Sequence, residues 1–169
     1  MVSALFLLQM AGVPGSGKSA LARLIGASTG AVVIDKDVLK SALLDTGASE
    51  ELAGPASYEA FFALAGHLLG QDRSVVLDSP SFWESIPKRG TAIAAERAVP
   101  YYFIECHCPD EAELRRRLRE RPRMRSNPGE DVLNGLPETH TPHGAYLRVD
   151  TTEPLERCLE LALEYLGTS

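Results

Sequence analysis

The chain contains 169 residues, a length that suits one domain with a complete hydrophobic core, so we expect residues 1–169 to form a single domain. Its apolar fraction of 44% and charged fraction of 24% are those of an ordinary globular protein. The net charge of −6 argues against a general binder of nucleic acids or anionic membranes, because such proteins need a broad basic surface. Seven arginines are nevertheless concentrated between Arg115 and Arg125, which favours a site for one small, highly charged anion.

Short apolar segments alternate with segments of helical periodicity along the chain. The predicted strands cover residues 4–10, 31–34, 74–77, 101–106 and 145–149. The predicted helices cover residues 17–28, 37–45, 57–69, 84–97, 110–121 and 153–166, with Ser57 as the N-cap of the third and a capping box of Asp110 and Glu113 on the fifth. This order predicts an α/β fold of three layers, with helices on both faces of a five-stranded, mainly parallel sheet. Ligands bind such sheets beyond the carboxyl ends of the strands, so we expect the chemistry just after residues 10, 34, 77 and 106.

The N-terminal apolar run and the cysteines bear on where the protein works. Residues 4–8 are apolar, but the run is too short to cross a membrane and has no basic region before it, so we expect a buried strand and no membrane partner. The cysteines, Cys106, Cys108 and Cys158, are odd in number and include no CxxC pair. They predict reduced thiols in the cytoplasm, and a metal site at the first two is disfavoured because a second ligand pair is missing.

A glycine-rich loop follows the first predicted strand and opens the first predicted helix. The spacing Gly12-x4-Gly17-Lys18-Ser19 is that of a P-loop, whose glycines let backbone N–H groups point inward at phosphate oxygens. The helix adds its free N–H groups and the positive end of its dipole. We expect Lys18 to reach the β- and γ-phosphates of ATP or GTP and the Ser19 hydroxyl to suit Mg²⁺. The predicted nucleotide contacts in the loop are Gly12, Pro14, Gly15, Ser16, Gly17, Lys18 and Ser19.

Three acidic side chains stand at the ends of the second and third predicted strands. Asp35 and Asp37 lie where a carboxylate can accept the proton of a hydroxyl group that attacks the γ-phosphate. Either of them could instead serve only as the N-cap of the next helix. Asp78 has the position of a Walker B acid that holds Mg²⁺ through water, and its alternative role is to cap the turn at Ser79 and Pro80.

Three segments resemble the P-loop kinases related to phage polynucleotide kinase, chloramphenicol phosphotransferase and zeta toxins. They are Gly12–Ser19, Val33–Lys40 and Val75–Pro80, and the resemblance extends over residues 4 to about 125. It implies that Asp37 is the general base and faces the acceptor, with Asp35 as a supporting acid. It also implies that Asp78 faces the acceptor in many such kinases, and that an arginine-bearing lid follows the fourth strand and its helix.

The arginines lie at the end of the fifth predicted helix and in the loop beyond it. Guanidinium groups stabilise a transferred phosphate through paired hydrogen bonds. Arg121 is the first candidate for catalysis and nucleotide binding and Arg117 the second, while Arg123 and Arg125 are candidates for the lid. Ordinary surface pairs with glutamates four residues earlier are the alternative.

The segment of residues 122–142 is rich in proline and glycine and reads as a mobile loop that suits a lid. We name it the lid segment. Its predicted hinges are Pro122, Pro128, Gly129, Gly135 and Pro137. His140 and His143, near its end, are predicted to be solvent-exposed.

Together these features predict a Mg²⁺-dependent kinase that transfers the γ-phosphate of ATP or GTP to a hydroxyl group of a small molecule. The predicted catalytic residues are Asp37, Lys18, Arg121 and Asp35. The acidic chain favours a small acceptor over a polynucleotide, whose 5′-hydroxyl is the alternative within enzymes. A nucleotide-dependent switch or binding module is the alternative of another class, although the Asn-Lys-x-Asp motif expected of a GTPase does not occur in the sequence.

Overall fold

The strands form one parallel sheet. The structure, a computed structural model, describes residues 5–127 and 129–168. The strands are β1 (Leu7–Ala11), β2 (Val32–Asp35), β3 (Val75–Asp78), β4 (Tyr101–His107) and β5 (Leu147–Asp150). Their order across the sheet is β2-β3-β1-β4-β5, and each neighbouring pair is parallel. The predicted α/β fold with a five-stranded sheet is confirmed. Ala4, at the start of the first predicted strand, lies outside the described residues.

Helices cover both faces of this sheet. They are α1 (Lys18–Thr29), α2 (Lys36–Asp45), α3 (Glu50–Leu69), α4 (Ser85–Glu96), α5 (Glu111–Glu120) and α6 (Leu155–Leu166). Side chains of α1 and α6 form one core with Leu8 and Met10 of β1, while α3 and α4 form a second core with Leu7. Alternate residues of β1 therefore pack into the cores on opposite faces of the sheet, as the pleat of a buried strand requires. No helix within the described residues is long and apolar enough to cross a membrane.

The third helix begins earlier than the sequence predicted. It starts at Glu50, and Ser49 is its N-cap, with Oγ accepting a hydrogen bond from the backbone N–H of Leu52 at 3.3 Å. Ser57 lies inside the helix and donates its hydroxyl proton to the carbonyl of Gly54. The prediction was wrong because Pro55 lacks the N–H of an interior helical residue and points locally to a break. The helix continues through it because α3 packs against α2 and the sheet.

β1 begins at Leu7, three residues later than predicted, and the remaining ends differ from the predictions by at most two residues, which is the usual uncertainty of helix and strand ends. One junction matters for function, because β2 passes into α2 without a loop. Asp35 is both the last residue of β2 and the N-cap of α2. At α5 the predicted cap is confirmed, since Asp110 accepts a hydrogen bond from the backbone N–H of Glu113 at 3.2 Å.

A buried glutamine ties α4 to the centre of the sheet. Gln9 of β1 is fully buried, and its Nε2 donates to the carbonyl of Ile86 at 3.2 Å. The hydroxyl of Tyr101 donates to its Oε1 at 2.7 Å. The helix approaches this closely because Gly90 has no side chain, and a Cβ there would lie 2.0 Å from Gln9 Oε1.

We therefore expect Gly90→Ala to lower the free energy of unfolding by about 1–3 kcal/mol, because it forces the amide of Gln9 out of its buried hydrogen bonds. Gly66→Ala is the matched control. It also lies within a helix, but the nearest atom to its Cβ would be 3.8 Å away, so the substitution should raise stability by about 0.5–1 kcal/mol. Urea denaturation of both variants measures the difference. Equal effects would contradict the tight packing of α4 on Gln9.

Candidate active site

The glycine-rich loop between β1 and α1 has the backbone of a phosphate cradle. Gly12 and Gly17 have φ angles of 136° and 90°, in the region that favours glycine. A Cβ on Gly12 would lie 2.4 Å from the carbonyl oxygen of Cys106, so the loop passes close against β4. The first N–H groups of any helix have no carbonyl partner within it, and those of α1 follow the loop at the carboxyl end of β1.

Lys18 is buried in this loop. It is 8% exposed, and its Nζ donates a hydrogen bond to the carbonyl of Val13 at 3.1 Å. Burial lowers the pKa of Lys18, and the negative charges of Asp78 and Asp37 oppose that shift. Nearby, the Ser16 hydroxyl is buried without a hydrogen-bond partner in the described residues. A buried ammonium and an unused hydroxyl suit a site built for an anionic ligand.

The sheet brings Asp35 and Asp78 together at its carboxyl edge. They are directly paired in the register of β2 and β3, and Met10 of β1 pairs with Asp78 on the other side. Asp78 is 3% exposed, and burial raises its pKa, whereas the charge of Lys18 and hydrogen bonding from Ser19 lower it. Asp78 thus faces the residues of the P-loop that its predicted role in Mg²⁺ binding requires.

Asp35 and Asp37 have different surroundings. Asp35 Oδ1 accepts the backbone N–H of Asp37 at 2.8 Å, so Asp35 caps α2, which is the alternative that the sequence left open for it. Burial raises the pKa of Asp35, and this capping hydrogen bond partly opposes the shift. Asp37 lies in the first turn of α2, and its Oδ1 is 2.5 Å from Nζ of Lys36.

Lys36 is a site residue that the sequence reasoning missed. It is 8% exposed, contacts Asp37, and places its ammonium 5.5 Å from the ring centroid of Tyr58 in α3. Its position between two aspartates at a strand end could have indicated a role in the site. A lysine at the start of a helix is, however, usually solvent-exposed. The packing of α3 against α2 contributes to its burial through Tyr58.

Of the seven arginines, Arg117 and Arg121 line the central cavity. Arg117 joins α5 to the loops, since its guanidinium donates to the carbonyl of Gly15 at 3.4 Å and to the carbonyl of Thr151 at 2.7 Å. Arg121 is half-buried, which lowers its pKa, while the nearby charge of Asp37 raises it. The alternative that the sequence left open, a pair with a glutamate four residues earlier, is present for Arg115 with Glu111 and for Arg117 with Glu113, each at 2.6 Å. Arg116 also pairs with Glu113, and Arg119 pairs with Glu130.

Several contacts attach the lid segment to the rest of the chain, among them Arg119 to Glu130 at 2.8 Å and Arg115 to Asn134 at 3.1 Å. Two further attachments lie near its ends. Ser126 Oγ donates to the backbone carbonyl of Asp37 at 2.9 Å, and its N–H donates to Ser41 Oγ at 3.2 Å. Near the other end, the backbone N–H of His140 donates to the carbonyl of Ser81, and the Ser81 hydroxyl donates to the carbonyl of His140, each at 2.7 Å. Between these points lies a 3₁₀ helix, Glu130–Leu133, which the sequence did not predict. The predicted hinge Pro128 lies outside the described residues.

These parts surround a cavity of about 740 Å³, within the range of small-ligand sites. One side carries the P-loop with Lys18, and Asp35, Asp37 and Asp78 lie along the cavity as well. The lining also contains polar residues such as Lys40, Glu59 and Arg89, and a group of apolar ones. We name this group the apolar wall, and it consists of Pro55, Tyr58, Phe82, Trp83, Ile86 and Val132.

Comparison with known families gives a match over most of the chain. Residues 7–143 match a family model described as AAA domain (AAA_33). No curated protein matches the chain significantly.

Solved structures of low sequence identity share the fold. The APS kinase CysC of Mycobacterium tuberculosis in complex with AMPPNP and APS aligns with a TM-score of 0.73 and 17% identity, over 98% of this chain and 99% of that one. A sugar kinase from a Janibacter species, solved without ligand, aligns with a TM-score of 0.69 and 19% identity, over 98% of this chain and 96% of that one. A gluconokinase from Sinorhizobium meliloti aligns with a TM-score of 0.65 and 21% identity, over 98% of this chain and 93% of that one. The chain therefore has a P-loop NTPase fold, whereas the narrower resemblance to polynucleotide kinase, chloramphenicol phosphotransferase and zeta toxins stays a prediction.

Proposed function

The chain belongs to the AAA domain family, and from that premise we propose that it is a Mg²⁺-dependent kinase that transfers the γ-phosphate of ATP or GTP to a hydroxyl group of a small molecule. One observation carries the proposal. Lys18 of the P-loop, Asp37 and the apolar wall all line the same cavity of about 740 Å³. A switch that only binds and hydrolyses a nucleotide needs no space beyond the attacking water, whereas a kinase needs room for an acceptor.

The reaction follows from this arrangement. The acceptor oxygen attacks the γ-phosphorus and forms a new O–P bond, while the bond from that phosphorus to the β–γ bridging oxygen breaks and the nucleoside diphosphate leaves with its electron pair. The hydroxyl proton passes to the carboxylate of Asp37. Lys36 holds that carboxylate in place, and Lys18 and Arg121 stabilise the negative charge on the transferred group.

Magnesium fits the residues present. No group of three or more histidine, cysteine, aspartate or glutamate side chains in the described residues could hold a metal by itself. Mg²⁺ needs no such group, because it is commonly bound by one or two protein oxygens together with substrate phosphates and water. Ser19 and Asp78, which interact with each other, would hold it. When bound, the ion neutralises charge on the β- and γ-phosphates.

The remaining predicted residues support nucleotide binding. Through Arg117, α5 is bonded to the P-loop and to the loop after β5, so this arginine keeps the cradle in position. We propose that the lid segment closes over the bound phosphates and that its attachment at Ser126 aligns it with Asp37. Arg123 and Arg125 stay lid candidates, although Arg125 Nη1 lies 3.4 Å from Asp45 Oδ1 at the surface.

A screen for transfer of labelled γ-phosphate tests the function. The purified protein is incubated with labelled ATP or GTP, Mg²⁺ and a panel of small alcohols, sugars, nucleosides and oligonucleotides with a free 5′-hydroxyl. We expect stable phosphate esters of small alcohols. Labelled oligonucleotides alone would instead support the polynucleotide kinase alternative. Nucleotide binding without transfer to any hydroxyl compound would support a switch or binding module.

A further inference from the structure

We infer that the acceptor is an amphipathic alcohol, whose reactive hydroxyl lies next to an apolar or aromatic group, and not a polyhydroxylated or anionic compound. The inference rests on the proposed function, because it describes what fills the part of the cavity beyond Asp37. It is carried by the apolar wall and by the pairing of the charges around it.

Ring contacts and a hydrogen bond hold the aromatic side chains of the apolar wall in place. The ring of Tyr58 lies edge-to-face with Trp83 at 5.8 Å between centroids and is stacked on Phe62 at 6.4 Å. Its hydroxyl donates to the carbonyl of Pro80 at 3.3 Å, which fixes the ring against the β3–α4 connection. Phe82 meets Trp83 at 6.5 Å. A surface held by such contacts is preorganised for an apolar ligand and loses little freedom when the ligand binds.

The exposure of Trp83 supports a ligand-binding role for the wall. Its side chain is large and apolar, yet 57% of it is exposed to solvent in the protein without ligand. Exposed tryptophan is unfavourable by itself and is common where a ligand covers it. Val132, from the 3₁₀ helix of the lid segment, lines the same cavity. The lid segment therefore brings an apolar side chain, rather than a charge, to this part of the site.

The cations near the wall already have partners within the chain. Lys36 pairs with Asp37 at 2.5 Å and Lys40 with Glu50 at 2.7 Å. Arg89 binds both carboxylate oxygens of Glu59, at 2.6 and 3.0 Å, and its guanidinium lies 4.4 Å from the ring of Phe62. An anionic acceptor, or a polynucleotide, would compete with these carboxylates for the same cations. An uncharged acceptor leaves them in place.

The chain contains a single tryptophan, so Trp83 reports binding at the wall without any catalysis. The experiment compares 3-phenyl-1,2-propanediol with glycerol, which has the same vicinal hydroxyl groups without the ring, and with D-glucose and D-gluconate. Tryptophan fluorescence measures binding and labelled ATP with Mg²⁺ measures transfer. We expect the phenyl compound to change the fluorescence and to be phosphorylated with a kcat/KM about ten- to hundredfold above that of glycerol, on the scale of burying one aromatic ring.

Variants locate the effect. Trp83→Ala and Val132→Ser should each lower the ratio of kcat/KM between the phenyl compound and glycerol by about fivefold or more, since each removes part of the apolar contact. Tyr146→Ala is the matched control, because Tyr146 is also a partly exposed aromatic residue, at 38%, but does not line the cavity. Its ratio should stay at the parent value. Thermal unfolding of each variant confirms that it is folded.

Several outcomes would overturn the inference. The first is a kcat/KM of glycerol, D-glucose or D-gluconate that equals or exceeds that of the phenyl compound. The second is a weaker affinity of Trp83→Ala for ATP, because that result would assign the wall to the nucleotide base. Absence of any fluorescence change with the phenyl compound would also refute it. If the phenyl compound binds at Trp83 and ATP binds, but no hydroxyl ever accepts phosphate, the proposed kinase function fails while the apolar character of the second site stands.

Discussion

Lys18→Ala should lower phosphate transfer by about 10²–10³-fold, the usual loss when one charged group that stabilises the transition state is removed. The fold should survive. Burial lowers the pKa of Lys18, so its charge is unfavourable in the protein without ligand and contributes no stability there. Asp78, whose pKa burial already raises, can bind a proton once the lysine is gone. We therefore expect the free energy of unfolding to change by less than about 1 kcal/mol, or roughly 2–4 °C in Tm.

The matched control for this variant is Lys88→Ala. Lys88 is an exposed lysine that pairs with Glu84 at 2.9 Å and does not line the cavity, so its removal should leave transfer unchanged. Steady-state kinetics with a fixed acceptor and circular dichroism separate loss of catalysis from loss of fold. Near-normal transfer by a well-folded Lys18→Ala protein would refute the phosphate-binding role of the loop.

The phosphate-binding part of the site could be predicted from the sequence because its determinants are local. The spacing from Gly12 to Ser19, a strand before it and a helix after it are all contiguous in the chain. Asp78 could be placed as well, because parallel strands end at one edge of the sheet and the register sets it beside Asp35. The fold class followed from the same alternation of strands and helices.

The surroundings of Lys36 and of the arginines could not be predicted in the same way, since they depend on packing between distant elements. Lys36 is buried beside Tyr58 of α3, and the start of α3 was itself misplaced at Ser57. Which of the arginines faces the cavity depends on the angle at which α5 meets the P-loop. The sequence ranked Arg121 first and Arg117 second among the seven, and both line the cavity in the structure.

Asp37→Asn should lower phosphate transfer by about 10²–10⁴-fold while nucleotide affinity stays close to that of the parent protein. Asparagine keeps the size and hydrogen-bonding shape of the side chain but cannot accept the acceptor's proton. The loss should appear in kcat rather than in KM for ATP, because the P-loop contacts are unaffected. Rapid-quench measurement of a single turnover, together with a direct binding assay for ATP, separates the two. Normal transfer would leave Asp37 as a helix residue only, and the role of base would pass to Asp35 or Asp78.

Substitutions of Asp35 provide the comparison that makes this result specific. Asparagine is as good an N-cap as aspartate, so Asp35→Asn should keep α2 intact, whereas Asp35→Ala should cost about 1 kcal/mol of stability through the lost cap. Burial raises the pKa of Asp35, so the ionised form is disfavoured in the folded protein and stability from this group falls as the pH rises through its pKa. Asp35→Asn removes that penalty and should be at least as stable as the parent at pH 7. Its transfer rate should fall less than that of Asp37→Asn. A larger fall, accompanied by a shift in the Mg²⁺ dependence, would identify Asp35 as a partner of the metal and move the assignment of the two acids.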